Sequence, residues 1–187
     1  MALEIRSLRE TDDRTSFDSH DASLDHSFTT YAGQNQFRNH TGVTYVAVEG
    51  GSILGYATIA AGNIEGDVLP ASFRRGLPRY PLPVLRLAGL AVAVTAQHRG
   101  VGSALLQYVF LLALRMAEEL GCVGALVDAK SDAVEFYLRV GFSRLEVSEG
   151  ELELRPKPTP MFLPLQLIVA ASESVSAVVA AAPLGQS

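Results

Sequence analysis

Between the apolar run VLRLAGLAVAV (Val84 to Val94) and a long stretch of helically spaced apolar residues lies Gln97-His98-Arg99-Gly100-Val101-Gly102-Ser103. A helix opening in such a turn offers unpaired backbone N–H groups and about half a positive charge, which together receive a phosphate. Gly100 and Gly102 leave those amides open to a ligand, and Arg99 is placed to add a formal charge. The chemistry offered is a diphosphate cradle. Two other phosphate motifs do not fit. A P-loop needs GxxxxGK[ST], and neither Lys130 nor Lys157, the only lysines, follows such a loop. The dinucleotide fingerprint needs a third glycine where Leu105 stands.

The elements that must hold this turn can be read on either side of it. LEIRSLR (Leu3 to Arg9) alternates as a half-buried first strand does. One or two helices are expected between Phe17 and His40, with Asp21 or Ser23 as N-cap. VTYVAVE, Gly50-Gly51 and SILGYATIAA predict a hairpin. The stretch from Gly62 to Pro83, with Pro70, Pro78, Pro81 and Pro83, reads as a long irregular connection. Val84 to Val94 predicts a strand covered on both faces. Val101, Leu105, Tyr108, Val109, Leu112 and Met116 mark a helix that Gly121 stops. VGALVDA is a further buried strand, SDAVEFYLRVG a short helix, FSRLEV a strand and MFLPLQLIV the last strand. A domain over 1–169 and a tail over 170–187, rich in alanine and serine, follow from this division.

Composition bounds the function classes. A length of 187 residues, 48% hydrophobic and 19% charged, supports one sizeable core and excludes a disordered chain. No run approaches the ~18 apolar residues that cross a bilayer, so no membrane partner and a cytoplasmic location are expected. Cys122 is the only cysteine, which excludes an internal disulfide, and no metal site is expected. The net charge of -5 argues against a generally basic nucleic-acid coat. Its distribution differs from its sum. No acidic residue stands between Asp67 and Glu118, where Arg74, Arg75, Arg79, Arg86, Arg99 and Arg115 cluster, as suits an anionic ligand.

The turn Gln97 to Gly102 matches [Q/R]xxGx[G/A], and Ala133, Phe136, Tyr137, Gly141 and Phe142 match A-x-x-F-Y-x-x-x-G-F. In both motifs the chain resembles the GNAT superfamily of acyl-coenzyme A N-acyltransferases, from about Leu3 to Leu167. LDHSFTTYAGQNQFRNHTGVTYVAVEGGSILGYATIA and RYPLPVLRLAGLAV resemble more narrowly the GNAT toxins of bacterial type II toxin–antitoxin modules. Two residues depart from that pattern: His98 stands where those toxins commonly have glycine, and Ala93 where aspartate is common.

The resemblance implies an α/β (mixed α+β) GNAT fold. Its central sheet is mixed but mostly antiparallel, of six to seven strands flanked by helices, and splays between strands 4 and 5. It implies acetyl-CoA as acyl donor, held by Gln97 to Ser103, by the backbone of Leu90, Ala91 and Val92, and by Asp132 and Phe136. Gly89 is a candidate for the bulge that opens the edge. Tyr137 is the implied general acid toward the coenzyme sulfur, a phenol that stays protonated at neutral pH. Transfer is direct, in a ternary complex, and Cys122 reads as a small buried residue. Glu135, Asp128 and Asp132 are near in sequence, but the base is left unassigned. His20, His26 and His40 read as surface or capping residues.

The toxin branch implies aminoacyl-tRNA as acceptor, with Arg74, Arg75, Arg79 and Arg86 lining its groove, and a small ribbon-helix-helix antitoxin as partner. A homodimer is a further expectation. A small-molecule or protein amine as acceptor, and a coenzyme-binding module without turnover, stand as the alternatives.

Overall fold

Gly50 and Gly51 lie at φ of 59° and 82°, the conformation that a two-residue hairpin turn requires. In the computed structural model, which describes residues 2–146 and 157–171, this turn joins β2 (Val43–Glu49) to β3 (Ser52–Ile64). β1 (Glu4–Ser7) pairs antiparallel with β2. β3 pairs antiparallel with β4 (Leu82–Val92). The chain then crosses over through α3 (Val101–Glu119) to β5 (Gly124–Ala129), which lies parallel to β4. β7 (Thr159–Pro164) pairs antiparallel with β5 and with β6 (Ser143–Arg144). The result is a seven-strand mixed sheet in the order β1-β2-β3-β4-β5-β7-β6.

Alternation along β3 explains why both faces are covered. Ala57 and Ile59 face α3, whose Leu105, Leu106, Val109 and Ala113 pack on the sheet with α4 (Val134–Val140). Tyr56 points the other way, into a cluster with Phe28, Val46 and Leu8. Full burial of a leucine such as Leu105 contributes about 2 kcal/mol. α3 is by length and composition apolar enough to cross a membrane, but here its apolar stripe is spent on the sheet.

Several boundaries differ from the expectation. α1 (Ala22–His26) is capped by Asp21, whose side chain accepts from the N–H groups of Ser23 and Leu24. Ser23 is therefore inside the helix. The helix continues through two π turns, Ser27–Tyr31 and Gln34–Arg38. The irregular connection is shorter than the prolines suggested, because the buried pair Ile64 and Leu82 extends β3 and β4 toward each other. Within it Pro70 precedes a single turn, α2 (Ala71–Arg74). β6 keeps only two residues of the expected FSRLEV strand. β7 ends at Pro164, and residues 165–171 are helical where a strand to Val169 was expected. An apolar run alone does not separate those two states. That helix passes the boundary drawn at residue 169, and the rest of the tail, 172–187, lies outside the described residues.

Candidate active site

β4 and β5 pair only from Leu85↔Ala125 to Leu87↔Val127. Just beyond, Thr58 faces Gly89 and Ile59 faces Leu87, so Ala88 is an extra residue in β4. Such a bulge sharpens the local twist and turns a strand away from its neighbour. Gly89 belongs to the bulge, but the unpaired position is Ala88. A Cβ on Gly89 would meet Tyr56 at 3.5 Å, an ordinary contact, so space does not demand glycine there.

Past the bulge the edge of β4 is open. The N–H of Ala93 donates to the Leu54 carbonyl at 2.8 Å. Strand alternation then turns the backbone of Ala91 toward β3 and that of Leu90 and Val92 toward the open side. Of the three residues expected to offer backbone groups, Leu90 and Val92 do so and Ala91 does not. Gln97 spans the end of the opening, its Nε2 donating to the carbonyls of Val92 at 3.2 Å and Ser19 at 3.3 Å.

The splay leaves a cavity of 290 Å³ between β4 and β5, walled by Leu87 to Val92, Asp128 to Lys130, Asp21, Leu24 and Tyr137. Tyr137 is only 5% exposed. Its ring stands edge-on to Phe136 and Phe142 at 5.2 and 5.3 Å, on a short helix that Gly141 ends at φ 114°. Burial holds the phenol's pKa well above its ordinary value, and its hydroxyl has no hydrogen-bond partner among the described residues. The arrangement is a neutral donor facing an empty space.

Next to it, at the head of α3, Gly100 sits at φ 80° as N-cap with no side-chain cap bond. The first helical bond runs from the Ala104 N–H to the Gly100 carbonyl at 3.0 Å. Among the described residues the N–H groups of Val101, Gly102 and Ser103 have no acceptor. They open on a second cavity, of 760 Å³, walled by Gln97, His98, Gly100 to Ser103, Asp132, Phe136 and Arg139. Val92, Gln97 and Asp132 border both cavities.

Side chains divide differently from the expectation. Arg99 is outside the cradle wall and donates to Glu49 at 2.8 Å, which holds that carboxyl below its ordinary pKa. The arginine on that wall is instead Arg139. Its signal in the sequence was its spacing, one helical turn after Phe136. His98 takes φ 62°, the left-handed region that suits the glycine found there in the toxins it resembles. Arg74 and Arg79 share a hollow of 490 Å³ with Glu65 and Asp67, and Arg75 borders another of 230 Å³ beside Phe162. Arg86 is paired with Asp128 at 2.7 Å. None of these four lines the Tyr137 cavity. Lys130 and Asp21, which do, were not singled out for the site by the sequence. Cys122 is 7% exposed, and its thiol donates to the Gly124 carbonyl at 3.2 Å.

The chain matches the acetyltransferase (GNAT) domain family over residues 40–144. It is 33% identical over 141 residues to a tRNA-acetylating toxin of Mycobacterium tuberculosis, covering 73% of this chain and 82% of the relative. Its fold matches a mutant of KacT with a TM-score of 0.79 at 24% identity, over 91% of this chain and 99% of the other. It also matches AtaT complexed with acetyl-methionyl-tRNA, with a TM-score of 0.77 at 23% identity, over 95% and 99% of the two chains. A mutant AtaT toxin of the same fold is bound to acetyl-CoA and the C-terminus of the antitoxin AtaR. With an amide cradle, a splayed sheet and these relatives, the chain belongs to the GNAT acetyltransferase family.

Proposed function

We propose that this chain is a toxin-type N-acetyltransferase that carries acetyl from acetyl-CoA to the α-amino group of aminoacyl-tRNA, in the cytoplasm, by direct attack in a ternary complex. One observation carries the reading: the buried phenol of Tyr137, without a hydrogen-bond partner among the described residues, lines the cavity at the open edge of β4, and that cavity adjoins the amide cradle of α3. A pure binding module has no use for a proton donor there. The 33% identical relative that acetylates tRNA supports the acceptor.

The amides of Val101 to Ser103 fit a diphosphate, with the positive end of α3 and Arg139 behind them. Leu90 and Val92 fit a pantetheine arm laid along the open edge as an added strand. Acetyl-CoA supplies the activated thioester. With acetyl-CoA bound, an N–H of that edge would be available to the thioester oxygen and would stabilise charge developing on it. Tyr137 holds a proton at Oη for the departing thiolate. The acceptor needs no dedicated base, since an α-amino group has a pKa near 8 and is partly neutral at physiological pH. Arg74, Arg75 and Arg79 are exposed on the connection before β4, where they neutralise phosphates of the tRNA beyond the cavity. The reading extends to a ribbon-helix-helix antitoxin and to a homodimer.

Labelled acetyl-CoA incubated with charged tRNA, uncharged tRNA, spermidine and a peptide amine tests this. Label should appear on charged tRNA far above the weak labelling of spermidine or the peptide amine, and decline steeply as salt rises. Label confined to free amines would replace the acceptor, and binding without transfer would remove the enzyme. Asp21, Asp128 and Asp132 on the cavity wall favour the first of those alternatives, a cationic free amine.

A further inference from the structure

Two of those three carboxylates are already covered by cations. Both oxygens of Asp21 accept from Lys130 Nζ, at 2.7 and 2.6 Å. Asp128 accepts from Arg86 at 2.7 Å. The third, Asp132, stands where the two cavities meet and shares the cradle with Arg139. The covering groups come from different elements, Lys130 from the turn after β5 and Arg86 from the middle of β4. Asp21 is fixed whether or not Lys130 is present, because its Oδ1 also accepts from the N–H groups of Ser23 and Leu24 at 3.1 Å. Lys130, on a flexible four-carbon stem and 42% exposed, is the movable half.

We propose that Lys130, together with Arg86, determines acceptor specificity by covering Asp21 and Asp128 against small cationic amines. The proposal rests on the acetyltransferase reading above and names what steers it toward a tRNA-borne acceptor. A polyamine is held mainly by carboxylates, and an ammonium on a carboxylate in a partly dry cavity binds more tightly than in water. With both carboxylates covered, that hold is withdrawn. An aminoacyl-tRNA loses little by it, because its affinity comes from phosphates outside the cavity. Its amine also gains, since an uncovered carboxylate would favour the protonated form, which cannot attack.

The full-length protein and its Lys130→Met variant would be assayed with acetyl-CoA against spermidine and against aminoacyl-tRNA. The variant should gain on the order of tenfold in kcat/KM for spermidine, through a lower KM at similar kcat. The double variant Asp21→Asn with Lys130→Met should return to the original value. No gain in a folded Lys130→Met variant, or a gain that survives in the double variant, overturns the proposal. Should Lys130→Met not fold, Arg86→Met carries the same expectation through Asp128. A failure of the underlying reading shows itself separately, in the unmodified enzyme, as no transfer to aminoacyl-tRNA.

Discussion

The head of α3 and the wall of the splay cavity share Val92, Gln97 and Asp132, yet they are built in opposite ways. The cradle is backbone: three consecutive amides, Val101, Gly102 and Ser103, left unpaired by the start of a helix. The cavity, apart from the open backbone edge of β4, is side chains gathered from Ser19 to Tyr137, from α1, β4, β5 and α4. A backbone site depends on φ and tolerates most side chains around it. A side-chain site depends on each group being present. Substitutions should therefore affect the two regions through different quantities, coenzyme affinity in the cradle and turnover or acceptor choice in the cavity.

The largest effect is expected in the cavity. Tyr137→Phe removes one oxygen and leaves the ring contacts to Phe136 and Phe142 in place. Loss of a general acid lowers kcat by roughly 10²-fold or more, while affinity for coenzyme A, measured by calorimetry, should stay within a factor of two or so of the original. The pH profile adds a second check. Burial raises the Tyr137 pKa above the ordinary phenol value of about 10, so the proton stays on through mild alkali. Accordingly kcat should not fall between about pH 8 and pH 10 from loss of this proton. A descending limb in that range that disappears in Tyr137→Phe would place the phenol in a wetter site than this one.

The same contrast explains what the sequence made legible. The first five strands as segments, the Gly50-Gly51 turn and α3 follow from local pattern: alternation or continuous apolar runs, paired glycines and helical periodicity within one segment. The cradle is equally local, so Gly100 to Ser103 could be read from spacing alone. The place of Tyr137 was legible through a motif that spans one short helix and its two ends. What stayed hidden depends on partners far along the chain. Arg99 looks like a phosphate ligand until Glu49, fifty residues earlier, is seen to hold it. Arg86 looks free until β5 brings Asp128 beside it, and Lys130 looks like a surface lysine until the turn after β5 meets the cap of α1. The bulge at Ala88 left no mark of its own, because alanine fits a bulge and a regular strand alike.

A smaller effect is expected at the cradle from Gly100→Ala. A Cβ there meets nothing within 4 Å, so the only penalty is the backbone at φ 80°. An alanine in that region costs about 1 kcal/mol, read as a lower melting temperature. Coenzyme affinity should drop several-fold as the first turn relaxes, with kcat at saturation little changed. Equal loss of kcat and affinity would mean that the two regions are coupled rather than separate.

The smallest effect should come from Glu49→Gln, and it has the opposite sign. Glu49 is tied to Arg99, and the guanidinium holds its carboxyl below the ordinary range. A carboxylate with a lowered pKa keeps its pairing above the unfolded value and gives it up only as acid approaches the folded one. At neutral pH the pair is therefore intact, and Arg99 is engaged away from the cradle. The amide replacement loosens that hold without touching the turn itself. Arg99 then becomes free to approach the diphosphate, and coenzyme affinity should rise about two- to threefold at low salt, with the gain screened away at high salt. Because the pair is exposed, melting should hardly move. A weaker affinity instead would show that the Glu49 pair helps to set the turn, and that even a site made of backbone leans on one distant side chain.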